Sequence, residues 1–157
     1  MNKKSGITLI EILIYSVVLT VVVALVTNFL YQVAHLKVLS QISSGLYENS
    51  QFILTKITQD IRNSQAVITP ADHNLNSRLI LQTDSGPVTY EVINGVLKRN
   101  NQAISDNQVE VSFVGANNGF KKIGASIWLK FSLVPKQKPF GKPKEVKIYQ
   151  TAISLYY

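Results

Sequence analysis

Between residues 12 and 36 the chain carries no formally charged residue, and the position just before this run is Glu11. A span of that length exceeds the ~20 residues needed to cross the hydrocarbon core of a bilayer as a helix. A carboxylate inside such a segment costs ~2.5–3.5 kcal/mol at mid-bilayer on insertion scales. Ahead of it lies a short basic stretch, Met1-Asn2-Lys3-Lys4-Ser5-Gly6. A secretory signal peptide would explain the lysines, but its apolar region is ~7–15 residues, uncharged and closed by a small-x-small cleavage site. This run is longer, contains Glu11 and has no convincing site of that kind. A plain transmembrane anchor accounts for the length, with Lys3 and Lys4 holding the N-terminus in the cytoplasm. It leaves unexplained the Gly6 junction followed at the fifth residue by Glu11.

Lys3-Lys4-Ser5-Gly6 followed by Ile7-Thr8-Leu9-Ile10-Glu11 resembles the class III signal of type IV prepilins and pseudopilins, whose usual form is Gly-Phe-Thr-Leu-Ile-Glu. Ile7 stands where phenylalanine is commonest. The resemblance implies that a prepilin peptidase cuts between Gly6 and Ile7 on the cytoplasmic face and methylates the new amine of Ile7. It also implies that Glu11 pairs with that amine on a neighbouring pilin or pseudopilin subunit. Such a pair relieves two charges in low dielectric at once and sets the axial register between subunits; a buried charge left alone is strongly destabilising. The further implied partners are an assembly platform in the membrane, membrane lipid before assembly, and a cytoplasmic ATPase motor outside this chain.

The length of 157 residues fits one domain beyond the membrane segment. With no cysteine, the chain has no disulfide, thiol nucleophile or thiolate metal site. The formal charge of +7 becomes +5 when Lys3 and Lys4 are lost with the leader, leaving 14 basic against 9 acidic residues. That excess permits attraction to anionic surfaces or nucleic acid. No Ser/His/Asp grouping and no Gly-rich phosphate loop is present, so the sequence supports no enzymatic reading, no cofactor and no metal.

Four segments are expected: a leader at 1–6, a transmembrane assembly helix at 7–30, an amphipathic helix at 31–66 and a β head at 67–157. Leu36, Leu39, Ile42, Leu46, Ile53, Ile57 and Ile61 recur at the spacing of one buried helical stripe. No proline interrupts residues 7–69, so one helix from 7 to about 65 would be ~90 Å long, with Gly45 its weak point. Beyond Pro70 the pattern turns to strands. Segments 78–83 and 88–93 flank the turn cluster Asp84-Ser85-Gly86-Pro87, and Asn94-Gly95 leads into 96–99; Asn-Gly is a strong hairpin signal. Val109, Val111 and Phe113 alternate with polar residues, a half-buried strand. After a turn at Asn117-Asn118-Gly119, strands at 125–134 and 146–155 bracket a loop with Pro135, Pro139, Gly141 and Pro143. The expected fold class is α+β, a long helix packed on an antiparallel meander.

Asp60-Ile61-Arg62-Asn63 and the hairpin Tyr90 to Arg99 through Asn94-Gly95 resemble the helix end and hairpin of J-type minor pseudopilins and their minor-pilin relatives. Major pseudopilins often bind calcium through acidic C-terminal loops, whereas the loop here has only Glu145 and hard cations require several oxygens. Lys136, Lys138, Lys142, Lys144 and Lys147 cluster there beside Phe140 and Tyr149. This is either a solvated hairpin tip or a candidate anion- or DNA-binding loop of the kind a DNA-uptake pilus needs. Neither His35 nor His73 has a second metal ligand at the required sequence spacing, so each reads as an interfacial or loop polar residue, and Trp128 reads as a core or interface residue. The expected function is a minor pseudopilin or pilin of the inner membrane, N-terminus in the cytoplasm and head outside, later part of a periplasmic or extracellular filament. The alternatives are a major pilin, a DNA-receptor minor pilin of a competence system, or an anchored β-domain unrelated to filaments. Which system it serves (type II secretion, twitching, adhesion, DNA uptake) is not encoded in motifs that those machines share.

Overall fold

The computed structural model describes residues 8–114, 119–137, 144 and 146–155. The chain forms two compact units, Met1–Ser40 and Gln41–Tyr157, with helix α1 (Leu9–Arg62) contributing to both. Thr8 begins the helix: its carbonyl accepts from the Glu11 and Ile12 amides at 3.1 and 3.2 Å. Thr-x-x-Glu is the order of a capping box, so Glu11 also sits where an acid complements the helix dipole. The helix passes through Gly45 without interruption.

The helix ends at Arg62 rather than near residue 65, because residues from Ser64 onward belong to a strand, β1 (Ser64–Thr69). The Asn63 amide reaches the Gln59 carbonyl at 3.0 Å, and the Ser64 hydroxyl donates to the Ile61 carbonyl at 2.6 Å. β-Branched Val67, Ile68 and Thr69 then precede Pro70, and both branching and a following proline disfavour helix. The first strand therefore starts at Ser64.

Two antiparallel sheets follow where one meander was expected. In the first, β3 (Arg78–Thr83), β4 (Gly86–Ile93), β5 (Val96–Arg99) and β6 (Gln102–Ala103) run consecutively, with β1 added beside β3. Gly86 and Pro87 pair with Thr83 and Gln82, so the turn is confined to Asp84 and Ser85. The second sheet is built around β9 (Ser126–Pro135). Its first half pairs with β8 (Phe120–Ile123) and its second half with β7 (Val109–Phe113). β10 (Lys147–Ser154) occupies the other side, and the short β2 (Leu75–Asn76) lies beyond β8. One long strand thus serves two partners on one side, which breaks a simple meander. Pro135 closes β9 opposite Val109, while Asn117, Asn118 and most of the Pro/Gly loop lie outside the described residues.

Alternation along the strands puts Leu79, Leu81, Val88, Tyr90 and Leu97 of the first sheet inward, with Ile127, Leu129, Phe131 and Leu133 of the second. They join Leu46, Ile53, Ile57 and Ile61 of α1 in a single core. Phe131 stacks on Tyr149 at 5.4 Å between centroids, and Phe113 meets Phe120 edge-on at 5.2 Å. The two sheets are tied by the Asn94-Gly95 turn. Both residues have positive φ, as a type I′ hairpin needs, and the Gly95 carbonyl accepts from Val111 of β7 at 2.8 Å. A Cβ on Gly95 would lie 2.7 Å from Glu110 Cγ, so glycine serves the turn and the close approach together.

Ile57 is fully buried at the centre of the helical stripe. Ile57→Ala is expected to cost about 2–5 kcal/mol, read as a lowered thermal midpoint of the detergent-solubilised chain by circular dichroism. A midpoint matching the unaltered chain would contradict the packing of α1 in the core.

Candidate functional site

From Leu9 to Leu36 the apolar residues of α1 are exposed on every side: Leu9 is 82 % exposed, Leu19 64 % and Leu30 60 %. α1 is long and apolar enough to cross a membrane, and none of its most apolar stretch is buried by the chain itself. An all-round apolar helix needs lipid or other helices about it. Its polar side chains are compatible with either. Ser16, Thr20 and Thr27 donate their hydroxyls to the carbonyls of Leu13, Ser16 and Val23 at 2.8 Å. Asn28 donates to Ala24 at 3.0 Å. Such back-bonding leaves little polarity for lipid to meet.

Glu11 is different. It is half-buried, and its Oε1 accepts a hydrogen bond from the Tyr15 hydroxyl at 3.1 Å. Tyr15 lies one turn further along, the spacing at which helical side chains meet. Gly6 and Ile7 lie outside the described residues.

Of the five loop lysines, Lys136, Lys144 and Lys147 are among the described residues. Lys136 donates from Nζ to the Asn107 side chain at 3.0 Å, and its amide reaches the Gln108 carbonyl at 2.8 Å. Lys144 and Lys147 are half-buried, and Lys147 has an interaction partner; Lys138 and Lys142 lie outside the described residues. His73 sits 3.4 Å from Asp72 and is largely exposed, and His35 is half-buried. Trp128 faces away from the core, 42 % exposed, because the inward positions of β9 are its odd-numbered residues.

One constellation escaped the sequence reading as a contact, although its two halves were both singled out there. Asp60, on the buried face of α1, accepts from the Tyr90 hydroxyl at 2.6 Å and from Arg99 Nε at 2.5 Å. Tyr90 and Arg99 are direct cross-strand partners in the β4–β5 hairpin. The Asp60 and Arg99 side chains are 10 % and 29 % exposed, and a cleft of about 530 Å³ opens beside them. A carboxylate recurring on a buried helical stripe, three positions after Ile57, was the available signal, since such a group demands a partner. The hydrogen bond to Asp60 holds the Arg99 guanidinium above its ordinary pKa. Burial first, then the Asp60 carboxylate, pushes the Tyr90 phenol well above its usual 10.0.

The folded chain therefore keeps the Tyr90 proton at pH values where the unfolded chain loses it. The stabilisation is complete below about pH 10 and declines as pH rises above that value. Between about pH 9 and pH 11 the thermal midpoint is expected to fall more steeply for the unaltered chain than for Tyr90→Phe. Asp60→Asn weakens two charge-assisted bonds and is expected to cost about 1–3 kcal/mol at neutral pH. Parallel pH profiles of the two chains would contradict the burial of a protonated phenol.

A family model for the prokaryotic N-terminal methylation motif matches residues 1–27. No curated protein and no solved structure matches the chain. The matched segment contains the Gly6–Ile7 junction, Glu11, Tyr15 and most of the exposed apolar helix, and none of the head. A class III signal on a long apolar helix, with an α+β pilin-like head beyond it, supports a type IV pilin- or pseudopilin-like subunit that prepilin peptidase processes and that assembles with other pilin subunits.

Proposed function

We propose that this chain is a minor pilin or pseudopilin, inserted in the cytoplasmic membrane with its head outside and built into a filament, or into the complex that starts one. The observation that carries this reading is Glu11: a carboxylate in a helix whose Ser16, Thr20, Thr27 and Asn28 side chains are turned back on their own backbone. Cleavage at Gly6–Ile7 creates a cationic amine at the start of that helix, and N-methylation leaves its charge in place. In the membrane this amine and Glu11 are two costly charges. Packed between neighbouring subunits they become one ion pair in low dielectric, and the pair fixes how far one helix advances past the next.

The minor-subunit reading rests on the head. The helix end at Asp60 and the Tyr90–Arg99 hairpin are the two segments that resemble J-type subunits, and their contact in this fold gives the shared pattern a physical reason. The carboxylate at the helix end and the arginine in the hairpin meet where the helix packs on the first sheet. Assembly, not catalysis, is the activity: helix packing supplies cohesion, Glu11 supplies register, and the head supplies partner choice.

Glu11→Leu removes the charge while making the segment more apolar, so membrane insertion and cleavage at Gly6 proceed. The processed protein is expected to stay in the membrane fraction and to be absent from sheared filaments, as quantified by peptide mass spectrometry. In the same preparations the unaltered chain is expected at a small fraction of the most abundant subunit. Glu11→Leu protein in filaments at the unaltered level would overturn the pairing, and equal abundance with the commonest subunit would overturn the minor role.

A further inference from the structure

We infer that Tyr15 is the positioning residue for Glu11: its hydroxyl holds one carboxylate oxygen so that the other faces an incoming amine. This rests on the assembly role proposed for Glu11 and extends it to a second side chain. The polar residues between positions 15 and 28 are Tyr15, Ser16, Thr20, Thr27 and Asn28. Four of them donate to backbone carbonyls of the preceding turn. Tyr15 alone in this stretch donates to the carboxylate, at 3.1 Å from Oε1.

The direction of the pair follows from helix geometry. Side chains lean toward the helix N-terminus, so a donor four residues after Glu11 reaches back over it, on the side from which the helix start approaches. In water such an exposed pair contributes little, because solvent competes for both partners. In hydrocarbon no solvent competes, and a phenol is the nearest donor described for Glu11. Tyr15 therefore acts twice. It lowers the cost of carrying the carboxylate before assembly, and it restricts the carboxylate to orientations with Oε2 free for the neighbouring subunit.

Tyrosine near a membrane surface is also commonly an anchor in the interfacial aromatic belt. The two roles rank substitutions in opposite order. An aromatic anchor is replaced well by phenylalanine and poorly by glutamine. A hydrogen-bond donor to Glu11 is lost in phenylalanine and kept in glutamine, whose amide also reaches one turn back.

The experiment expresses the full chain in its own host as Tyr15→Phe, Tyr15→Gln and Glu11→Leu. It measures, for each, the fraction of processed subunit recovered in sheared filaments. Tyr15→Phe is expected to lower that fraction roughly ten- to a hundredfold, the scale of one hydrogen bond to a charged group. Tyr15→Gln is expected to recover part of the loss, and Glu11→Leu to fall to background. Tyr15→Phe at the unaltered level, or Tyr15→Gln at or below Tyr15→Phe, would overturn the role of Tyr15 while a background level for Glu11→Leu upheld that of Glu11. Glu11→Leu at the unaltered level would overturn both.

Discussion

A carboxylate taken out of water must find a cation or several donors, and this chain meets that constraint twice along α1. At Asp60 the partners are within the fold: Arg99 and Tyr90 converge on one oxygen from adjacent strands, so the end of the helix is fixed to the first sheet. At Glu11 the described partner is a single phenol, Tyr15. A neutral donor offsets part of the cost of a charge in hydrocarbon and leaves the rest. What folding completes at one carboxylate, association would complete at the other under the assembly role proposed for Glu11. On this account the chain is a finished head joined to a helix that is finished only among its neighbours.

The head depends on the same economy of contacts. Asn94-Gly95 sets the register of β4 against β5, and that register places Tyr90 opposite Arg99. The same turn accepts a hydrogen bond from Val111 in the second sheet. One two-residue turn thereby aligns the groups that hold α1 and links the two sheets. Loss of its geometry would be felt at the helix docking site, where Tyr90 and Arg99 hold Asp60.

Much of this was legible from local pattern. Strands β3 and β5 occupy the residues their turn signals predict and β7 those its alternation predicts, and the buried positions Leu46, Ile53, Ile57 and Ile61 follow the helical stripe, although Leu36 at its start is exposed. The misses have physical causes. β2 and β6 span two residues each, too short to show a period. The first residues of β1 were absorbed into the expected helix because Ser64 and Gln65 carry no stop signal of their own; the β-branched residues and Pro70 that disfavour helix lie further on. β8 reads Phe-Lys-Lys-Ile, whose pattern resembles neither template; it is a strand because β9 is long enough to carry it beside β7. Asp60 was read as part of a helix end rather than as a member of the buried face, so its junction with Arg99 and Tyr90 emerged only from the fold. The assembly segment was legible in the other direction. Its motif is plain in the sequence, while its partners lie in other chains.

The central claim is that the chain is a pilin-type precursor whose helix is completed by association, and everything proposed for Glu11 requires the amine that cleavage exposes. The most direct test is the mass of the N-terminal peptide of the membrane-extracted chain, with and without a co-expressed prepilin peptidase. The account predicts a peptide beginning at N-methylated Ile7 only when the peptidase is present. Retention of Met1-Asn2-Lys3-Lys4-Ser5-Gly6 in both samples would contradict it, leaving an anchored β-domain with no amine for Glu11 to meet.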